Sequence, residues 1–159
     1  MKVRSMVYLD GFIAGIIGAA IIAIWFLFLD AVTRLPFYTP TVLGTALYLG
    51  PEVLVPTDGV QVSLELTLMY TWVHGLVFIV LGEIAVGLLL LAAKKPKLRS
   101  GILLLFVILE CGFVGTALIF AEPVLRELTW PVVLLGNLLA AAGMAVYFWI
   151  RYPNFLIKA

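Results

Sequence analysis

The sequence predicts an all-α fold: a membrane-embedded bundle of four transmembrane helices, with a short interfacial or re-entrant helix between the first and second. Three observations carry this. The chain of 159 residues is 64% hydrophobic and only 12% charged, which leaves too little polar surface for a water-soluble globule. Its apolar residues gather in four stretches, about 7–32, 64–93, 101–121 and 131–150, each long enough to cross a ~30 Å hydrocarbon core. Deep inside those stretches the polar interruptions are His74, Glu83, Glu110 and Asn137. Residues 1–159 therefore read as one multi-pass integral membrane domain.

The first stretch follows Met1-Lys2-Val3-Arg4 and imitates a signal peptide, but it runs on to Leu29 without an A-x-A-like cleavage site, so it reads as a retained helix. Gly11 and Gly15, with Gly18 and Ala19 beyond them, form a small-residue face that lets another backbone approach closely. The connection from Thr33 to Ser63 is too long for a simple turn. Within it, Thr39-Pro40 has the form of an N-cap with proline at the first helical position, and Gly50-Pro51 that of a stop. The helix between them, about 40–49, is too short to span. With Val42, Leu43, Ala46, Leu47, Tyr48 and Leu49 it is apolar nearly all round, so it needs cover from the bundle's outer end, lipid or another subunit.

Pro56-Thr57-Asp58-Gly59 reads as an exposed turn before the second long helix. That helix carries Gly75, Gly82 and Gly87, and the fourth carries Gly136, Ala140 and Gly143, so small-residue packing into a left-handed bundle is expected. Ser5, Ser63 and Ser100 precede or open helices as caps. Tyr70, Trp72, Trp130, Tyr147, Trp149 and Tyr152 fall near the predicted interfaces, where amphipathic rings anchor helices. Asp30 and Arg34 are spaced for a local i,i+4 ion pair at the outer end of the first helix.

Orientation follows from the basic residues. Lys2, Arg4, Lys94, Lys95, Lys97, Arg99, Arg151 and Lys158 fall on one side of a four-crossing model, and only Arg34 and Arg126 on the other. Basic residues near helix ends favour the cytoplasmic side, so the expectation is a cytoplasmic (inner) membrane protein with both termini cytoplasmic. The loop from Lys94 to Arg99 can meet anionic headgroups, although topology alone explains it. No basic face with interleaved aromatics points to nucleic acid. Cys111 is the only cysteine, which excludes an intrachain disulfide and a CxxC metal site.

Glu83 and Glu110 each lie about ten residues from the loop joining the second and third helices, so an antiparallel hairpin brings them to a similar depth. Two carboxylates together in low dielectric do not both ionise easily, which is the physics of a proton or cation site. The alternative is that each glutamate hydrogen-bonds a neighbour and fixes helix packing. His74, the sole histidine, shares a helix face with Tyr70 and Phe78 and stands as a ligand or packing residue. Asn137 lies near its depth, so a His74–Asn137 bond between helices is expected. His74 and Glu83 are nine positions apart, on opposite sides of one helix, which argues against an acid–base dyad. No catalytic set, metal motif, phosphate loop or dinucleotide fingerprint is legible, and no cofactor is expected.

Trp25-Phe26-Leu27-Phe28-Leu29-Asp30, Pro36-Phe37-Tyr38-Thr39-Pro40-Thr41-Val42-Leu43-Gly44, Tyr70-Thr71-Trp72-Val73-His74 and Gly136-Asn137-Leu138-Leu139-Ala140 resemble a group of small prokaryotic four-helix membrane proteins. That resemblance implies the architecture and carries no activity. The functional expectation is a non-catalytic accessory subunit whose partners are the lipid bilayer and other membrane subunits or itself, within a larger complex of respiratory or electron-transfer type. A homo-oligomeric proton- or ion-coupled transporter using Glu83 and Glu110 is the alternative, and a haem or quinone protein using His74 the third.

Overall fold

The computed structural model describes residues 2–54, 61–94, 104, 107, 108, 111, 112 and 130–153. Over these the protein is helical, and three of its helices are long and apolar enough to cross a membrane. Helix α1 spans Lys2–Thr33, α2 Tyr38–Tyr48, α3 Leu64–Lys94 and α4 Trp130–Arg151, with a 3-10 turn at Pro51–Leu54. The predicted third helix, 101–121, falls largely outside the described residues, as do Glu110, the basic loop beyond Lys94 and the turn at Pro56–Gly59.

Helix α1 is the centre of the arrangement. Gly11 stands against Glu83, Gly15 against Phe78 and Ile79, and Ala19 against His74, so α1 and α3 run antiparallel. Gly18 meets Met144, Gly136 meets Trp25, and Asp10 meets Arg151, so α4 is antiparallel to α1 as well. Helices α3 and α4 are therefore parallel to each other. Ala14, Ala19, Phe78, Val86, Ala140 and Met144 form part of the core where the three meet.

The closest approach is made by glycine. A Cβ on Gly82 would collide with the Gly11 carbonyl oxygen and stand 2.6 Å from the Gly15 nitrogen, and one on Gly15 would collide with the Phe78 carbonyl. Backbone thus lies on backbone at this crossing. Gly75 and Gly87 behave differently from the expected stripe, since a Cβ on either would meet nothing within 4 Å. Beyond the crossing the side chains of His74 and Phe78 occupy the α1–α3 gap, and Gly87 lies on the exposed side of α3. On α4, Gly136 admits the Trp25 ring and Gly143 admits Ile21.

Helix α1 begins about five residues earlier than its apolar run, carrying Lys2 and Arg4 as a helical extension. The start of α2 also differs from expectation. Phe37, in the left-handed region at φ 68°, occupies the N-cap position without a side-chain cap, and the helix begins at Tyr38. Thr39 and Pro40 are thus inside the first turn, where proline's missing N–H has no helical partner to lose. The cap comes from another helix: Asp30 of α1 accepts the Thr39 backbone N–H at 2.7 Å and its hydroxyl at 2.6 Å. Asp30 and Arg34, expected to form an i,i+4 ion pair, are joined through the backbone, where the Arg34 N–H donates to the Asp30 carbonyl at 2.8 Å, while the Asp30 carboxylate is taken by Thr39 and the Arg34 guanidinium lies 4.9 Å over the Tyr38 ring. At the far end, Gly50 turns the chain at φ 96°, a conformation glycine adopts without a Cβ clash.

The bundle itself covers α2. Its buried face mixes Val42, Gly44 and Ala46 with Thr39, Thr41 and Thr45, so it is less uniformly apolar than its sequence suggests. Val42 and Ala46 pack with Leu54 and Val133 in a second small core. The fully buried Thr41 hydroxyl lies 3.1 Å from that of Thr67 and accepts the Ser63 N–H at 3.2 Å, which ties α2 to the start of α3. Ser63 caps α3 by accepting the Leu66 N–H at 3.3 Å.

Candidate functional site

Polar groups gather at the two ends of α1. At its C-terminal end are Asp30 with Thr39, the Thr41–Thr67–Ser63 group, and Trp25, whose indole N–H donates to the Val132 carbonyl of α4 at 3.0 Å. At its N-terminal end, Asp10 is 3% exposed and receives three donors from α4 and the residue after it. The Tyr147 hydroxyl and Arg151 Nε donate to Oδ1 at 3.0 Å each, and the Tyr152 hydroxyl donates to Oδ2 at 2.5 Å. Tyr152 lies just past the α4 span, and burial, together with its bond to Asp10, pushes its phenol up to about 12, so it remains a donor at neutral pH. A buried carboxylate holding this many donors closes the end of α4 onto the beginning of α1.

Glu83 sits one helical layer from this cluster, across the α1–α3 crossing. A Cβ on Gly11 would stand 2.8 Å from its Cδ and 2.9 Å from its Oε2, so only glycine leaves room for the carboxyl. Among the described residues Oε2 is buried without a hydrogen-bond partner. Glu110 and its pairing with Glu83 lie outside the described residues.

His74 lies between Tyr70 and Phe78, with ring centroids at 5.8 Å and 4.7 Å. Its Nε2 donates to the Ala19 carbonyl of α1 at 3.3 Å, in place of the bond anticipated with Asn137. Asn137 is itself buried on α4, 8% exposed. A haem ligand at Nε2 would have to give up the contact with α1. Among the described residues no three His, Cys, Asp or Glu side chains converge on a metal-sized site, and Cys111 is free and exposed.

Sequence reasoning overlooked the Asp10 cluster. Its signal was present: Tyr147 and Arg151 are i,i+4 neighbours at the end of the last helix, and the basic residues place that end beside the start of the first, where Asp10 interrupts the apolar run. Comparison with protein-family models, curated proteins and solved structures gives no match for this chain.

Proposed function

We propose that this chain is a non-catalytic integral membrane subunit that packs within a larger membrane assembly. The observation that carries the reading is how its membrane-depth polar side chains are used. Asp10, Asp30, Trp25, Thr41 and His74 each bond one helix to another. Long apolar faces meanwhile point outward: Leu68, Trp72, Leu76 and Val80 on α3, and Leu138, Val146 and Ile150 on α4. A photo-reactive residue at Val80 or Val146, activated in native membranes, tests this. Cross-linking to one defined polypeptide is expected, and cross-linking to lipid alone would count against it.

The chain crosses four times in this reading. Helices α3 and α4 are parallel, so the intervening segment has to return from one side to the other, and 101–121 is the apolar stretch available to do so. With Lys2, Arg4, Lys94 and Arg151 at one end of the three spans, the positive-inside rule supports two cytoplasmic ends in an inner membrane.

A second reading, a homo-oligomeric proton- or ion-coupled transporter, draws on the Oε2 of Glu83, buried without a hydrogen-bond partner among the described residues. Loss of flux in proteoliposomes carrying Glu83→Gln, with wild type active, would favour it. Unchanged flux would remove its support.

A further inference from the structure

We propose that Arg151 is a binding site for the phosphate of an anionic lipid headgroup, and that Asp10 is the residue that positions its guanidinium. The pair is asymmetric in burial: the Asp10 side chain is 4% exposed and that of Arg151 43%. The negative partner is therefore sealed inside the bundle while the positive one faces outward, so the surface presents a cation although the pair is neutral in sum. Only Nε is spent on Asp10; among the described residues no other hydrogen bond engages the two Nη groups. A guanidinium fixed along one edge by a buried carboxylate offers its remaining N–H groups in a set geometry, which matches the paired oxygens of a phosphate.

Depth and surroundings agree with a lipid occupant. Arg151 is the last residue of α4, whose 22 residues extend ~33 Å, about the hydrocarbon thickness. Lys2 and Arg4 open α1 and Lys94 closes α3 at the same end, so the field there favours anionic headgroups. Among the described residues, the acids toward this end are Asp10, covered by Arg151, and Glu83, turned to Gly11. The ligand class is a phosphodiester without its own ammonium group, as in phosphatidylglycerol, because the choline of phosphatidylcholine competes with Arg151 for the phosphate. The proposal rests on the membrane placement of the bundle and is independent of any protein partner.

The test is native mass spectrometry of the full chain in mild detergent, titrated with phosphatidylglycerol or with phosphatidylcholine of the same acyl chains. Wild type is expected to retain phosphatidylglycerol preferentially. The double variant Asp10→Asn/Arg151→Gln leaves no unpaired buried charge, and it is expected to retain phosphatidylglycerol about fivefold less with phosphatidylcholine retention unchanged. Equal retention of the two lipids by wild type, or unaltered phosphatidylglycerol retention by the double variant, would overturn the proposal. A loss in Arg151→Gln that the double variant restores would trace to damage at the buried Asp10 and overturn it too. Displacement of the lipid by an equal concentration of inorganic phosphate would assign the site to free phosphate instead.

Discussion

Asp10 and Asp30 lie twenty positions apart on α1, and each accepts hydrogen bonds from a different helix: Asp10 from Arg151 at the end of α4, Asp30 from Thr39 at the start of α2. At the rise of an α-helix that separation is ~30 Å, the thickness of a bilayer's hydrocarbon core. The two carboxylates thus mark the ends of the apolar stretch of α1, the helix that packs against both α3 and α4. Between them, among the described residues, α1 meets its neighbours through glycine contacts, the apolar core, the His74–Ala19 bond and the Trp25–Val132 bond.

Packing at the α1–α3 crossing sets the first expectation. Gly82→Leu forces a side chain into the backbone of Gly11 and Gly15, and should destabilise the protein by about 3 kcal/mol or prevent its folding. Gly87→Ala, which enters open space, should change stability by less than about 0.5 kcal/mol. Thermal unfolding of the two variants in one detergent measures the contrast.

Asp30→Ala leaves the Thr39 N–H and hydroxyl buried without their acceptor. A loss of about 1–3 kcal/mol is expected, whereas Arg34→Gln should cost well under 1 kcal/mol. Comparable losses in the two variants, measured by chemical unfolding in mixed micelles, would contradict the cap across helices as the main role of Asp30.

Alkaline pH should loosen the junction of Asp10 with the end of α4. The Tyr152 phenol is raised from 10.0 to about 12 in the folded protein. Folding therefore favours its protonated form, and the associated stability is complete below pH 10 and fades as pH rises through about 12. A stability profile over that window should show the loss in wild type and a reduced loss in Tyr152→Phe. Identical profiles would exclude Tyr152 as its source.

Topology is accessible to labelling. With Cys111 replaced by serine, a cysteine at Lys97 should react with a membrane-impermeant maleimide only from the cytoplasmic side, and one at Asp58 only from the opposite side. Reaction of both from the same side would refute the proposed orientation.

The spans were legible because a ~20-residue apolar run has few other fates, and α1, α3 and α4 fall close to their expected limits. Side-chain partners were harder to foresee. The i,i+4 spacing points Asp30 to Arg34, yet its carboxylate reaches α2, because an unsatisfied helix N-terminus near the membrane needs an acceptor more than an exposed arginine does. Depth pairs His74 with Asn137, whereas His74 meets the Ala19 backbone carbonyl, an acceptor that no residue pattern reveals. Gly75 shares spacing with Gly82 but not contact, since spacing fixes a face and leaves the crossing point open. The position of Glu83 against Gly11 depends on the α1–α3 register, which hydropathy does not encode.

The most direct test of the subunit reading is the native mass of the protein extracted from its own membranes in mild detergent. The expected mass exceeds whole multiples of the 17.4 kDa chain by that of stoichiometric protein partners. A species that is a whole multiple of 17.4 kDa, with nothing but lipid added, would contradict it.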